Sequence, residues 1–213
     1  MVLDSAIKIL ELDEIRAKYE KLARWYDVQD IPYEVMCVNR LRSNLIPKAT
    51  GEVLEVAVGT GKNLRYYPQN TKIVAVDYSP AMLKQAQKKA KRCNRQVDFQ
   101  IMDAENLAFP NESFDTVVST LTGCTFPHPE KAYAEMARVC RPNGRILLME
   151  HGRSSASWLG WIQDRLAKPY YHQYACLWNR NALKSIQDSG LEIIQSQTAL
   201  LGVFYAIEAK KRF

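Results

Sequence analysis

An α/β fold, doubly wound around a seven-stranded sheet whose last strand runs antiparallel, with a helical cap ahead of the first strand, is what this sequence predicts. Three observations carry the expectation. Residues 53–58 are a nearly continuous apolar run rich in β-branched side chains, as suits a strand buried on both faces. The run breaks at Gly59-Thr60-Gly61, where missing side chains let the backbone turn tightly and approach a ligand. A second apolar run, residues 73–76, stops at Asp77, and an acid at the tip of a second parallel strand is placed to accept from a ribose diol. Strand, glycine turn, helix, strand and acid together make a nucleoside site.

A dinucleotide site needs a third glycine, for close helix packing beside a pyrophosphate, but Leu64 holds that position. Glu55, four residues ahead of Gly59, suits an ammonium group and not a pyrophosphate. S-adenosylmethionine carries an ammonium and a sulfonium and no phosphate, so the charge pattern favours it.

Ahead of the first strand, Ile7, Leu10, Ile15, Tyr19, Leu22 and Tyr26 recur at helical spacing, which predicts a helix over residues 4–27. Ile31-Pro32 interrupts it, and residues 33–45 form a second amphipathic segment ending at Pro47. Residues 1–47 are therefore expected to be a helical lid that brings Tyr19 and Tyr26 to the site, and residues 48–213 the domain beneath it. After Asp77, Ser79 as N-cap and Pro80 at the first position start a helix. Its buried face is Met82, Leu83, Ala86 and Ala90; Lys84, Lys88, Lys89, Lys91 and Arg92 face solvent. Residues 97–101 make a third strand, ending in Asp103-Ala104-Glu105, where an acid can accept from an adenine amine. Residues 114–121 make a fourth, so the stretch from Thr120 to His128 is expected to line the transfer centre. Pro129 opens a helix through Arg138, and residues 141–144 turn into a fifth strand over 145–149, with Glu150-His151-Gly152 at the same edge. Residues 152–178 are read as an aromatic and basic insert, irregular over 154–174. A helix over 179–189, stopped by Gly190, and two runs over 191–199 and 203–210 close the chain as an antiparallel pair.

The 213 residues, 47% of them hydrophobic, suffice for one domain with a substantial core. A net charge of +6 favours an anionic partner, membrane surface or nucleic acid. Cys37, Cys93, Cys124, Cys140 and Cys176 contain no Cys-x-x-Cys pair and no histidine at ligand spacing, which predicts reduced thiols in a cytoplasmic protein and no metal. Neither a leader peptide nor an apolar run approaching the roughly 20 residues of a membrane span is expected.

These motifs resemble those of the class I S-adenosylmethionine-dependent methyltransferases. Leu54-Glu-Val-Ala-Val-Gly-Thr-Gly-Lys-Asn63 resembles the family's first motif and Val76-Asp-Tyr-Ser-Pro-Ala-Met82 its second. Asp103-Ala-Glu105 with residues 107–110, and Phe114-Asp115, resemble the third and fourth; residues 138–144 resemble the turn before the fifth strand. Ala57 stands where the family usually has its first glycine. The resemblance implies a Rossmann-like fold, S-adenosyl-L-methionine as cofactor and S-adenosyl-L-homocysteine as product. It implies a cofactor set of Glu55, Ala57, Gly59, Gly61, Asn63, Asp77, Tyr78, Met82, Asp103, Ala104, Glu105, Ser119, Thr120 and Leu121. Of these, Glu55 and Gly59 would hold the methionine end, Asp77 the ribose and Asp103 with Ala104 the adenine, with Ser119 and Thr120 near the sulfonium.

The segment Tyr19-Glu-Lys-Leu-Ala-Arg-Trp-Tyr-Asp27 resembles the entry helix of the ubiquinone and menaquinone methyltransferase branch. Glu150-His-Gly-Arg153, residues 158–164 and Cys176-Leu-Trp-Asn-Arg180 are similar to small soluble phosphatidylethanolamine N-methyltransferases and to thiol methyltransferase-like proteins. The implied acceptor is a small or amphipathic molecule, foremost a phospholipid amine, with a quinone precursor or a small thiol as alternatives. The enzyme would be cytoplasmic and peripheral to an anionic membrane surface, with His151, by its position at a strand end, as the base and Tyr26, Tyr19 and His128 behind it. Nucleic acid is disfavoured because Thr120-Leu-Thr-Gly123 replaces the motif of base-amine enzymes. A cofactor-binding protein without catalysis is the remaining alternative, and oligomeric state is not legible.

Overall fold

In the computed structural model, residues 7–212 are described. Seven strands form one sheet: β1 (Glu52–Val56), β2 (Lys72–Asp77), β3 (Val97–Ile101), β4 (Phe114–Thr120), β5 (Cys140–His151), β6 (Leu191–Ala199) and β7 (Phe204–Lys211). Their order is β3-β2-β1-β4-β5-β7-β6. Strands β1 to β5 pair in parallel and β7 runs antiparallel between β5 and β6. Val53 pairs with Ile73 on one side and Thr116 on the other, so the strand order reverses at β1. A crevice opens beyond the carboxyl ends of strands where such an order reverses.

Adjacent residues of the central strands face opposite cores. Leu54, Val117 and Leu148 pack with Ala132, Tyr133 and Met136 of α6 (Pro129–Val139) and Ile186 of α8 (Ala182–Asp188). Val53, Val118 and Leu147 pack with Leu41 and Leu45 of α4 (Asn39–Leu45) and Leu83, Ala86 and Ala90 of α5 (Pro80–Arg92). Two-sided burial explains the unbroken apolar runs, since each fully buried Val or Leu contributes roughly 1.5–3 kcal/mol. Ser79 caps α5, its Oγ accepting from the Met82 N–H at 3.2 Å, as Ser-Pro predicts.

Several local expectations change. The chain after Gly59 is a series of turns and not a helix: Gly61 N–H reaches Val58 O, and Tyr66 N–H reaches Asn63 O. Gly61 at φ +78° leaves the helical region. Over 4–27 the helix is α1 (Leu12–Leu22), which stops before the four-residue α2 (Tyr26–Gln29); positions 4–6 lie outside the described residues. Pro32 sits in the first turn of α3 (Ile31–Tyr33), where its missing N–H costs nothing, so it starts a helix instead of interrupting one. A π-helical turn, Glu34–Val38, joins α3 to α4. Residues 141–144 bulge within β5, whose pairing jumps from Phe114–Cys140 to Thr116–Arg145.

The insert is not irregular: α7 (Ser157–Tyr174) spans it. Its buried stripe is Gly160, Gln163, Ala167 and Tyr171, spaced as one helix face. Small and polar residues carry that stripe while Trp158 and Trp161 are exposed, so the apolar pattern gives no helical period. Among the described residues no helix is long and apolar enough to cross a membrane.

Candidate active site

Two cavities meet at the carboxyl ends of β1, β2, β4 and β5. The inner one, about 990 Å³ of open space, is lined by the glycine turn, the tips of β2 and β3, the loop after β4, and Tyr19, Tyr26 and Arg42 from the N-terminal helices. The second, about 1580 Å³, is lined by Cys124, His151, Tyr170, Tyr174, Cys176, Trp178 and Phe204 among others. Tyr19, Tyr26, Asp30 and Leu121 line both, so these residues form a shared wall.

At the inner cavity, Val58 N–H pairs with Val76 O and Gly59 N–H with Asp77 Oδ2 at 2.8 Å, which folds the turn back onto β2. Asp77 Oδ1 accepts from Ser79 N–H at 2.8 Å. Burial pushes the Asp77 carboxyl up to about 6, against these two N–H groups, which favour its charge. Ala57 (φ 54°) and Gly59 (φ 55°) are both left-handed, and a side chain at Gly59 would point into open space. Asp103 Oδ1 caps its own turn by accepting from Glu105 N–H at 2.9 Å, while the residue still lines the cavity.

Of the residues expected around a cofactor, Ala57, Gly59, Asn63, Asp77, Tyr78, Met82, Asp103, Ala104, Thr120 and Leu121 line this cavity. Glu55, Gly61, Glu105 and Ser119 do not. Glu55 lies behind Asn63, with Oε1 accepting from Asn63 Nδ2 at 2.8 Å and Oε2 from the Tyr67 hydroxyl at 3.0 Å. A Cβ on Gly61 would stand 2.8 Å from Leu64 and 3.1 Å from Ala86, so this glycine lets α5 approach the turn. Glu105 accepts from His128 N–H, and Ser119 Oγ bonds to Val56 O and Thr122 Oγ1.

Sequence reasoning missed Arg42. The residue is 3% exposed and lines the cavity, and its guanidinium donates to Asn63 Oδ1 at 2.6 Å, Thr120 Oγ1 at 2.9 Å and Glu34 Oε1 at 3.0 Å. A signal existed: Arg42 follows Val38 by four residues and precedes Leu45 by three, on the buried stripe of the amphipathic segment. Also missed was an acidic face on that segment. Asp27 meets Thr60 and Lys89 at 2.6 and 2.7 Å, Asp30 meets Lys62 at 2.8 Å, and Glu34 meets both Lys62 and Arg42. Lys89 is therefore turned to Asp27 and is not part of a solvated helix face. Glu20 of α1 accepts from Ser79 Oγ and Ala81 N–H at the start of α5.

Tyr19 and Tyr26 stand with ring centroids 6.1 Å apart. Burial, then neighbouring ionisable groups, holds both phenols well above their usual range, so they are neutral hydroxyls. His151 reaches only the second cavity. Burial opposes its charge, while Cys124 and Glu150 act the other way and pull the imidazole up to about 9. Its Nε2 lies 3.3 Å from Cys176 Sγ, and Cys124, His151 and Cys176 gather with ligand atoms within 4.8 Å of one another. Cysteines that show no local spacing are thus brought together with a histidine by the topology.

The inner cavity fits S-adenosylmethionine on its own terms: a carboxylate at a strand tip for vicinal hydroxyls, an open glycine cradle, and a buried guanidinium for a carboxylate. Residues 54–148 match the model of a methyltransferase domain. A phosphatidylethanolamine N-methyltransferase of Cereibacter sphaeroides is 31% identical, over 75% of this chain and 78% of that protein. A mitochondrial methyltransferase of Saccharomyces cerevisiae is 29% identical over 91% of this chain, which spans only 45% of that protein's length. A crystal structure of an S-adenosylmethionine-dependent methyltransferase from Thermotoga maritima superposes with a TM-score of 0.71 at 22% identity, covering 93% of this chain and 100% of that one.

Proposed function

The chain belongs to the S-adenosylmethionine-dependent methyltransferases, and we propose that it methylates the amine of an amphipathic lipid, of the phosphatidylethanolamine type, at a membrane surface. The observation that carries the acceptor is the setting of the second cavity. Its wall is aromatic, with Tyr170 stacked on Trp178 at 4.5 Å and Tyr33 against Phe204 at 6.3 Å. Such faces attract an ammonium group, methylated or not. Its surroundings are exposed and apolar: Trp25, Val28, Ile31, Trp158 and Leu201 are each next in the chain to a lining residue and at least 53% exposed. Arg24 lies over Trp25 and Arg165 over Trp161, a pairing of interfacial aromatic and cation that suits anionic lipid.

When bound, S-adenosylmethionine supplies a methyl group that its sulfonium has already made electrophilic. The chain's own residues hold and align. Asp77 would accept from the ribose, Asp103 and Ala104 would face the adenine, and Arg42 would pair with the carboxylate. Tyr19 and Tyr26 present neutral hydroxyls and ring faces to both cavities, which orients the acceptor nitrogen and excludes water. The acceptor's proton leaves on the side of the second cavity, whose lining carries His151, Cys124 and Cys176 beside the carboxylates of Asp30 and Glu34.

Release of S-adenosylhomocysteine is measured with vesicles of phosphatidylethanolamine mixed with anionic lipid, with phosphatidylcholine vesicles, and with a soluble primary amine. Turnover is expected on the first alone, weakened together with vesicle co-sedimentation by Trp158→Ala and Trp161→Ala. Turnover on the soluble amine alone would overturn the surface reading.

A further inference from the structure

We propose that Cys124, His151 and Cys176 bind a thiophilic divalent cation, zinc by its chemistry, with one coordination position turned to the second cavity. The three ligand atoms lie within 4.8 Å of one another, with the Cys176 and His151 atoms 3.3 Å apart. Ligand atoms on a tetrahedral zinc with ordinary bond lengths stand about 3.6–3.8 Å apart, so the set closes around an ion by small side-chain movements. Two thiols and an imidazole select zinc over magnesium or calcium. Three protein ligands leave a fourth position, and all three line the second cavity, so that position faces the acceptor.

The site is built from segments that the protein already holds. Cys124 lies in the loop after β4, His151 ends β5, and Cys176 follows α7. Leu177 N–H donates to Cys124 O at 2.9 Å, which joins two of the segments beside their cysteines. Gly123 N–H donates to both Glu150 oxygens at 3.2 and 3.1 Å, and Arg180 donates to Gly123 O at 2.7 Å and Phe126 O at 2.9 Å. The His151 ring stands edge-on to Phe204 at 6.2 Å, which fixes its plane. Cys124 and Cys176 are 3% and 8% exposed, so bulk solvent does not compete for their sulfurs. Such outer contacts orient the ligands of a metal before it arrives.

Water on zinc ionises near pH ~7. Given the amine acceptor proposed above, the resulting hydroxide would take one proton from the ammonium and become water, leaving the nitrogen its lone pair. Binding of the ion does not depend on which acceptor is used.

The full chain, purified under reductant, is incubated with zinc, desalted and assayed for metal; in parallel, cobalt is bound and its thiolate charge-transfer absorption recorded. One ion per chain and a strong band are expected. Both should be lost in Cys124→Ser and Cys176→Ser, and His151→Gln should weaken the ion while keeping the thiolate band at high cobalt. Calorimetric binding of S-adenosylhomocysteine, retained in each variant, confirms the fold. Zinc content in the reduced wild type no higher than in the double serine variant would overturn the proposal, whatever the turnover assay gives. A Cys124–Cys176 disulfide that persists under reductant would overturn it as well.

Discussion

Arg42 Nη1 donates to Asn63 Oδ1 at 2.6 Å, and Asn63 Nδ2 in turn donates to Glu55 Oε1 at 2.8 Å. This relay joins α4, the glycine turn and β1 behind the inner cavity, with Glu34 at one end and the Tyr67 hydroxyl at the other. Arg42→Ala would leave Glu34 to Lys62 alone and Asn63 Oδ1 without its donor. Glu34 stays paired, so the main cost is the buried Asn63 acceptor left without a donor, and urea unfolding should register a loss of about 1–3 kcal/mol. S-adenosylhomocysteine affinity should fall by about tenfold or more, since a tenth of the affinity corresponds to ~1.4 kcal/mol. Unchanged affinity in a folded variant would remove Arg42 from the cofactor site.

Burial pushes the Glu55 carboxyl up to about 7, against the hydrogen bonds from Asn63 and Tyr67. Between pH 4.5 and about 7 the folded protein keeps this proton while the unfolded chain releases it. The group's contribution to stability is therefore whole below pH 4.5 and is lost as pH rises through about 7. Glu55→Gln preserves the shape, with the Tyr67 hydroxyl turning to accept. The variant should gain on the wild type as pH rises across that window, by on the order of 3 kcal/mol. A stability difference that is flat with pH would contradict this.

Ala57 holds φ 54° at the end of β1, where an L-residue is strained by roughly 1–2 kcal/mol. Ala57→Gly relieves the strain and gives back part of the gain as unfolded-chain entropy. A rise in Tm of about 2 °C is expected from a net gain of about 0.5–1 kcal/mol, read by calorimetry. A lower Tm would mean that the methyl group packs usefully.

Tyr26 is expected to act through its ring face, because burial keeps its hydroxyl neutral. Tyr26→Phe should then leave kcat/KM within about threefold, and Tyr26→Ala should lower it by on the order of 10- to 30-fold, the range of a desolvated cation–π contact. Equal losses in the two variants would shift the role to the hydroxyl.

Much of the fold was legible because two-sided burial writes itself into consecutive apolar residues, as in residues 53–58, and because Ser79-Pro80 has one structural use. The edge holding Gly59, Asp77 and Asp103 followed from strand ends alone. Helix α7 was not legible, since its buried stripe runs through Gly160, Gln163 and Ala167 while its tryptophans face outward. Glu55 looked like a ligand-facing acid because its spacing says nothing of Asn63 folding back over it. Cys124, His151 and Cys176 are 27 and 25 residues apart in sequence, and only the folding of the loop after β4, the end of β5 and the turn after α7 onto one edge brings them together.

The acidic face of the N-terminal segment has a consequence for ionic strength. Its contacts are graded in depth: Asp27 and Lys89 are 46% and 24% exposed, whereas Glu34 and Arg42 are 11% and 4% exposed. Dissolved ions screen exposed pairs strongly and sheltered ones little. Added salt therefore loosens this segment from the Asp27 end, beside Tyr26, while the Arg42 end stays fastened. The segment frays in one direction, and the tyrosine wall is the first part of it to go.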